Sequence, residues 1–278
     1  MGINIYFFKS VACMYFLAAS GFLCYLLTNK DTVTKVSIMT YLAGFAVHTV
    51  AILVRYFEAG YFPMLNMHEG LSFFSWCISG IFFLFYYKYK VKIMGVFAAP
   101  LSFLFILIAF AFDSSIVNMI PVLRSYWRPI HIMFAFLGDA MFAIAALAGV
   151  MYLMQERQLK TKKMNRFYYI LPSLEVSDKI NYKCLTYGFP MLTIGMITGA
   201  IWANSAWGTY WSWDPKETWS LVTWFIYAAM LHGRLTVGWR GRKVAILSII
   251  GFAVILFTFL GVSLLMGGSH AEAVQIGR

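Results

Sequence analysis

The run VAILSIIGFAVILFTFLGVSLLM, residues 244–266, holds 23 consecutive residues without a charged side chain. As a helix it rises about 34 Å, enough to cross the roughly 30 Å hydrocarbon core of a bilayer. Working outward, similar runs fall at approximately 5–27, 36–57, 71–87, 94–112, 129–154, 184–203 and 216–237. Together they predict an all-α integral membrane protein, a bundle of about eight transmembrane helices forming a single polytopic domain over 1–278. Between the runs, 58–70 contains Pro63 and 113–128 contains Pro121, and both stretches read as loops.

Composition supports the same class. The chain is 61% hydrophobic and only 12% charged, with a mean hydropathy of +0.73, values that a soluble domain does not reach. The apolar stretch 11–27 runs to spanning length without a small-residue cleavage site, so no cleavable signal is expected. A net charge of +11 raises the question of nucleic acid. The basic residues are scattered over short connections instead of forming a stripe, which argues for no nucleic-acid partner and for a lipid membrane. Cys13, Cys24, Cys77 and Cys184 form no C-x-x-C pair and read as small core residues.

Charge also predicts orientation. With the first terminus outside, the inner connections 28–35, 88–93, 155–183 and 234–243 hold sixteen of the 22 basic residues. The positive-inside rule then places both termini on the non-cytoplasmic side, with the loops near Glu69, Arg124 and Trp213.

One of those loops, 204–217, stands apart. Trp207, Trp211, Trp213, Trp219 and Trp224 put five of the nine tryptophans into 18 residues, with Trp202 nearby. Tryptophan enrichment by itself is what an interfacial aromatic belt shows. Asp214-Pro215-Lys216-Glu217 adds an N-cap aspartate, proline at the first helical position and glutamate at the third, the pattern of a capping box. The box defines where the loop stops, so Trp207, Trp211 and Trp213 are expected on a shaped external platform. Such a platform suits a flat, hydrophobic, polyanionic ligand, and the positive end of the helix dipole favours its carboxylates. Haem fits that description.

The segment WGTYWSWDPKETWSLVTWFIYAAMLH, residues 207–232, resembles the tryptophan-rich WWD motif of the haem-handling family of cytochrome c biogenesis. That family includes CcsA, also called ResC, of the system II synthase, and its relatives CcmC and CcmF. The similarity extends to NMHEGLSFFSW, residues 66–76, and SYWRPIHIMFAFLG, residues 125–138, and eight spans suit CcsA better than the shorter CcmC pattern.

A histidine in a bilayer is costly, and neutral imidazole is a common haem ligand. His131 follows Pro129 near the outer end of the fifth span, and His270 follows the eighth, so topology brings both to the face that carries the loop. The resemblance implies that these two are the axial ligands of an external haem, with Trp207, Trp211, Trp213 and Asp214 beside it. The tail is the weaker match, since relatives carry a Leu-His-Ser-Tyr-like segment where this chain has Gly268-Ser269-His270-Ala271. His232 lies 17 residues after Pro215, about 25 Å down the helix, and belongs to a different site. There the resemblance implies an inner haem whose second ligand comes from a partner subunit. His48, mid-span, reads as a structural or transient contact, and His68 as a solvated residue of the outer segment.

The resemblance implies haem b as the substrate, export and presentation of it, and covalent attachment to the C-x-x-C-H motif of an apocytochrome c. It further implies a CcsB- or ResB-like membrane partner, and a location in a bacterial cytoplasmic membrane or a thylakoid membrane. No residue stands out as a general acid or base, so no catalytic residue is assigned. Two other readings share the motifs: a haem transporter without coupling activity, and a regulatory membrane protein of haem biosynthesis. A tryptophan-belted channel without cofactor leaves the joint placement of His131, His270 and the capped loop unexplained.

Overall fold

The structure, a computed structural model, describes residues 3–116, 124–162 and 165–265. Among the described residues there is no strand, and the chain gathers into two compact units, Met1–Val117 and Asn118–Arg278.

In the first unit, α1 (Ile3–Thr28) and α2 (Asp31–Ala59) form a hairpin. Asn29 turns the chain at φ 53°, a left-handed conformation that asparagine tolerates. Close approach depends on Gly44, where an added Cβ would meet the Tyr15 ring at 2.9 Å. The other two helices are α3 (Met67–Tyr89) and α4 (Met94–Ala109). Helices in lipid gain little from hydrophobic burial against one another, so interhelical hydrogen bonds and tight packing hold them together. Two such knots are present. Tyr41 of α2 donates to Ser79 Oγ of α3 at 2.9 Å and pairs with Ser102 Oγ of α4 at 2.8 Å. Fully buried His48 meets the Tyr15 hydroxyl through Nδ1 at 3.2 Å and Ser72 Oγ through Nε2 at 2.9 Å, which joins α1, α2 and α3.

Arg55 closes the same unit. Its Nε donates to Glu69 Oε1 at 2.8 Å, and its two terminal nitrogens donate to the Ser114 and Ser115 carbonyls at 2.9 Å each. Glu69 Oε2 accepts from Leu65 N at 2.7 Å, so the carboxylate also shapes the loop before α3. A second pair, Lys92 with Asp31 at 2.7 Å, is exposed. There the carboxylate holds the Lys92 ammonium above the ordinary lysine range.

The second unit contains α5 (Trp127–Thr161), the short α6 (Arg166–Ile170), α7 (Leu174–Trp207), α8 (Pro215–His232), α9 (Arg242–Leu256) and α10 (Val262–Leu265). π turns at Gly233–Val237 and Phe257–Gly261 extend α8 and join α9 to α10. Along α5 and α7 the backbones almost touch. A Cβ on Gly138 would lie 2.9 Å from Leu192 N, and one on Gly195 would lie 2.9 Å from Ala135 N. Gly149 serves the α5–α9 contact in the same way, 2.7 Å from the Ala245 carbonyl. At the end of the unit far from the tryptophan loop, Arg234 grips Asp178 with both terminal nitrogens and stacks over Tyr182 at 4.6 Å.

Each of the eight expected spans has a helix. Six of the helices are long and apolar enough to cross a membrane. The fourth expected span is the 16-residue Met94–Ala109 and the seventh the 18-residue Pro215–His232, which opens with Lys216 and Glu217. At about 1.5 Å per residue α4 reaches only about 24 Å, and α8 about 27 Å before its π turn continues it. Cys77 and Cys184 are core residues as expected, but Cys13 and Cys24 are exposed on α1. A thiol on an apolar helix behaves as a small hydrophobe, so the residue type carries no signal of which face it takes.

Removing one partner of a buried ion pair leaves an uncompensated charge, at a cost of about 3–5 kcal/mol. Glu69→Ala is therefore expected to lower the melting midpoint of the detergent-solubilised protein far more than Asp31→Ala does. Equal effects in thermal denaturation followed by circular dichroism would contradict the role given to Arg55–Glu69.

Candidate functional site

The site is built on the end of the second unit where α5 begins and α7 ends. His131 is the fifth residue of α5, and its Nδ1 lies 2.7 Å from the Gly195 carbonyl of α7. A carbonyl oxygen can only accept, so Nδ1 carries the proton and donates it. In the neutral ring the lone pair is then on Nε2, the tautomer in which an imidazole can ligate a metal through that atom.

Two further residues of α7 act on the ring. Gly199 faces it so closely that an added Cβ would sit 2.6 Å from Nδ1. Trp202, buried, lies nearly parallel to the imidazole, with centroids 6.2 Å apart and planes 16° apart. Positions 195, 199 and 202 recur at helical spacing, so one face of α7 sets the tautomer, clearance and plane of His131. Trp202 in turn packs edge-on against Trp207 at 5.2 Å, the last residue of α7.

Beyond Trp207 the chain turns at Gly208, φ 79°. The stretch read as a loop from 204 therefore stays helical through Trp207, and the irregular part is 208–214. Its geometry is set by the capping box at the start of α8. Asp214 Oδ1 accepts from Lys216 N at 2.8 Å, while Glu217 Oε2 accepts from Asp214 N at 3.3 Å and Ser212 N at 2.8 Å. Trp213 is held at φ 58°, unusual for a bulky side chain, and remains 68% exposed. Trp211 meets it edge-on at 5.8 Å. Two carboxylates thus fix the backbone of a loop that carries two indoles, Trp211 and the left-handed Trp213.

The remaining expected residues divide. His270 lies outside the described residues. His232 ends α8, exposed, at the opposite end of that helix from the loop. Trp224 donates to Thr193 Oγ1 at 3.0 Å and Trp219 packs on Phe257, so both serve helix packing. In the first unit, both His48 ring nitrogens are engaged, consistent with a structural role. His68 is half-buried instead of solvated. It packs against Phe8 at 4.4 Å, contacts the Ala109 carbonyl at 3.0 Å, and borders a small cleft with Arg55, Glu69 and Phe73. Gly195 and Gly199 escaped the sequence reading, because a glycine in a span signals close packing without naming what packs there.

Comparison with known proteins adds to this geometry. The family model described as cytochrome C assembly protein matches residues 64–270. The cytochrome c biogenesis protein CcsA of Chlamydomonas reinhardtii is 39% identical over 231 residues, covering 79% of this chain but only 63% of that protein. CcsA of Guillardia theta is 37% identical over 246 residues, 80% of each chain. CcsA of Microcystis aeruginosa is 35% identical over 267 residues, 78% of this chain and 81% of its own. Among solved structures, the cytochrome c heme lyase CcmF superposes with a TM-score of 0.66 at 14% identity, covering 100% of this chain and 49% of that one. The latter is a likeness of fold.

Loss of an N-cap side chain costs about 0.5–2 kcal/mol. Asp214→Ala is expected to lower the unfolding free energy by about 0.5–2 kcal/mol, read as a lower melting midpoint, and to shift tryptophan emission as the loop loosens. Asp214→Asn, which still accepts from a backbone N–H, is expected to retain most of both.

Proposed function

Because the chain belongs to the cytochrome c assembly protein family, we propose that this multi-pass membrane protein binds haem b at the tryptophan loop and presents it for covalent attachment to apocytochrome c. The observation that carries the reading is the His131–Gly195 hydrogen bond beside Trp202, which readies a neutral imidazole for iron next to an indole-lined shelf.

In this reading His131 and His270 hold the iron of the external haem from its two faces. Trp207, Trp211 and Trp213 offer apolar area to the ring, and the positive end of α8 faces the propionates. An incoming C-x-x-C-H peptide replaces one imidazole with its own. Each cysteine S–H then adds across a vinyl C=C: sulfur bonds to one carbon and the proton to the other, so no oxidant is consumed. The protein's contribution is to hold thiol and vinyl together at high effective concentration. Asp214 and Glu217 act as caps and not as acid or base.

His232 at the far end of α8 marks an inner haem station, completed by a histidine of a CcsB-like membrane partner. The tryptophan loop and both termini lie on the non-cytoplasmic side of a bacterial cytoplasmic or thylakoid membrane, following the charge bias of the connections.

Purified with its lipid, the protein is expected to show a low-spin haem spectrum. His131→Gly should lose it and regain it with added imidazole. Gly199→Ala, which moves the ring without removing it, should weaken haem binding by about 10- to 100-fold, as loss of ligand orientation commonly does. An unchanged spectrum in both variants would refute His131 as a ligand.

A further inference from the structure

The Gly195 carbonyl that holds His131 is shared with a second side chain, and that side chain belongs to α7 itself. Thr198 Oγ1 lies 2.7 Å from the Ile194 oxygen and 3.0 Å from the Gly195 oxygen, so its one proton is divided between two carbonyls of its own helix. The His131 Nδ1–H reaches the same Gly195 oxygen from α5 at 2.7 Å.

Among the threonines of α7 this arrangement is particular to position 198. The other two, Thr186 and Thr193, each donate at 2.8 Å to the carbonyl four residues back and to no other. That is ordinary back-bonding within a helix. Thr198 turns far enough to meet the carbonyl three residues back as well, and that carbonyl is the one the imidazole uses. Gly195, Thr198, Gly199 and Trp202 fall at i, i+3, i+4 and i+7, the spacing of a single helix face. Thr198 therefore supplies a hydroxyl to the same face that sets the tautomer, clearance and plane of His131.

Burial makes the second donor count. Thr198 is only 7% exposed, and the Gly195 backbone is pressed so closely on α5 that an added Cβ would lie 2.9 Å from Ala135 N. Protein donors, more than water, then set the strength of this oxygen as an acceptor. In such a low-dielectric interior one hydrogen bond polarises its neighbours more than it would in water. A carbonyl oxygen has two lone pairs. Two donors drawing on one oxygen each weaken the other's bond, so the Thr198 hydroxyl loosens the pull of Gly195 on the His131 proton.

That pull controls the imidazole as a ligand. A strong bond from Nδ1–H to an acceptor raises the basicity of Nε2. A more basic ligand favours ferric over ferrous iron, and hydrogen bonding behind the ligand is one of the levers on haem potential. We propose that Thr198 is a positioning residue that tempers His131 through the shared Gly195 carbonyl and so biases iron bound there toward the ferrous state. The inference rests on the reading of His131 as a haem ligand. Its value to thioether formation is protective. Two ferric irons can each take one electron from a cysteine thiolate, and the two oxidised sulfurs couple as a disulfide that no longer adds to a vinyl group.

The test compares Thr198→Val, which keeps the outline of the side chain without its hydroxyl, with Thr198→Ser, which keeps the hydroxyl. The full chain is placed in lipid nanodiscs with 15N-labelled histidine. In haem-free samples the Nδ1–H proton resonance of His131, identified by its loss in His131→Gly, should move downfield in Thr198→Val and return in Thr198→Ser. In haem-loaded samples at a fixed poise, Thr198→Val should raise the ferric-to-ferrous ratio by about two- to tenfold, the factor that one neutral hydrogen bond is worth. Tenfold corresponds to a midpoint lower by about 59 mV. Thr186→Val removes a hydroxyl from the same helix away from Gly195 and should change neither reading. An unmoved resonance, an unmoved ratio, or equal changes in the valine and serine variants overturns the proposal. Absence of haem from the wild-type protein overturns the haem reading instead, and the resonance still decides whether Thr198 governs the His131 bond.

Discussion

The close approach of α5 and α7 is the constraint on which the second unit depends. Their backbones meet because Gly138 and Gly195 present no Cβ where the partner helix passes, and Gly199 leaves room for the His131 ring. Without that approach the Gly195 carbonyl would not reach His131, and the imidazole would have neither a defined tautomer nor a defined plane. Lipid offers no hydrophobic gain for helix association, so contact of this kind, with the hydrogen bonds it permits, is what membrane helices use instead. Packing and ring placement are therefore one feature: Gly195, which lets the helices meet, also offers the carbonyl that holds the His131 ring.

The two units use buried polarity differently. In the first, tyrosine, serine and histidine side chains close on one another, and Arg55 is neutralised by Glu69 while it holds two loop carbonyls. That arrangement costs desolvation and returns a defined geometry. In the second, the α8 cap and the Arg234–Asp178 pair are satisfied at the ends, while the Tyr227 hydroxyl has no hydrogen-bond partner among the described residues.

The tryptophan loop shows how a few hydrogen bonds translate a motif into a surface. Glu217 gathers the Ser212 and Asp214 amides, Asp214 caps α8, and Gly208 ends α7. Between those anchors the chain is short enough that Trp213 adopts a left-handed conformation and stays exposed. An exposed indole in a constrained backbone is an expensive arrangement for a belt residue, and a reasonable one for a residue that contacts a ligand.

Much of this was legible in the residues alone. Eight apolar runs define helices because a bilayer admits little else, and the capping box locates the start of α8 because its chemistry is local. The histidines could be ranked by where each falls along its span, and the rise per residue already separated His232 from the loop. What the sequence could not supply was the meeting of distant helices. The Gly195 carbonyl is 64 positions from His131, and every helical residue has a carbonyl, so nothing in the composition marks that one as a partner. The same holds for Gly138 and Gly149, whose close partners Leu192 and Ala245 lie on other helices. Local patterns are set by interactions within a few residues, whereas tautomer, ring plane and buried alignment arise only when separate helices share one interior.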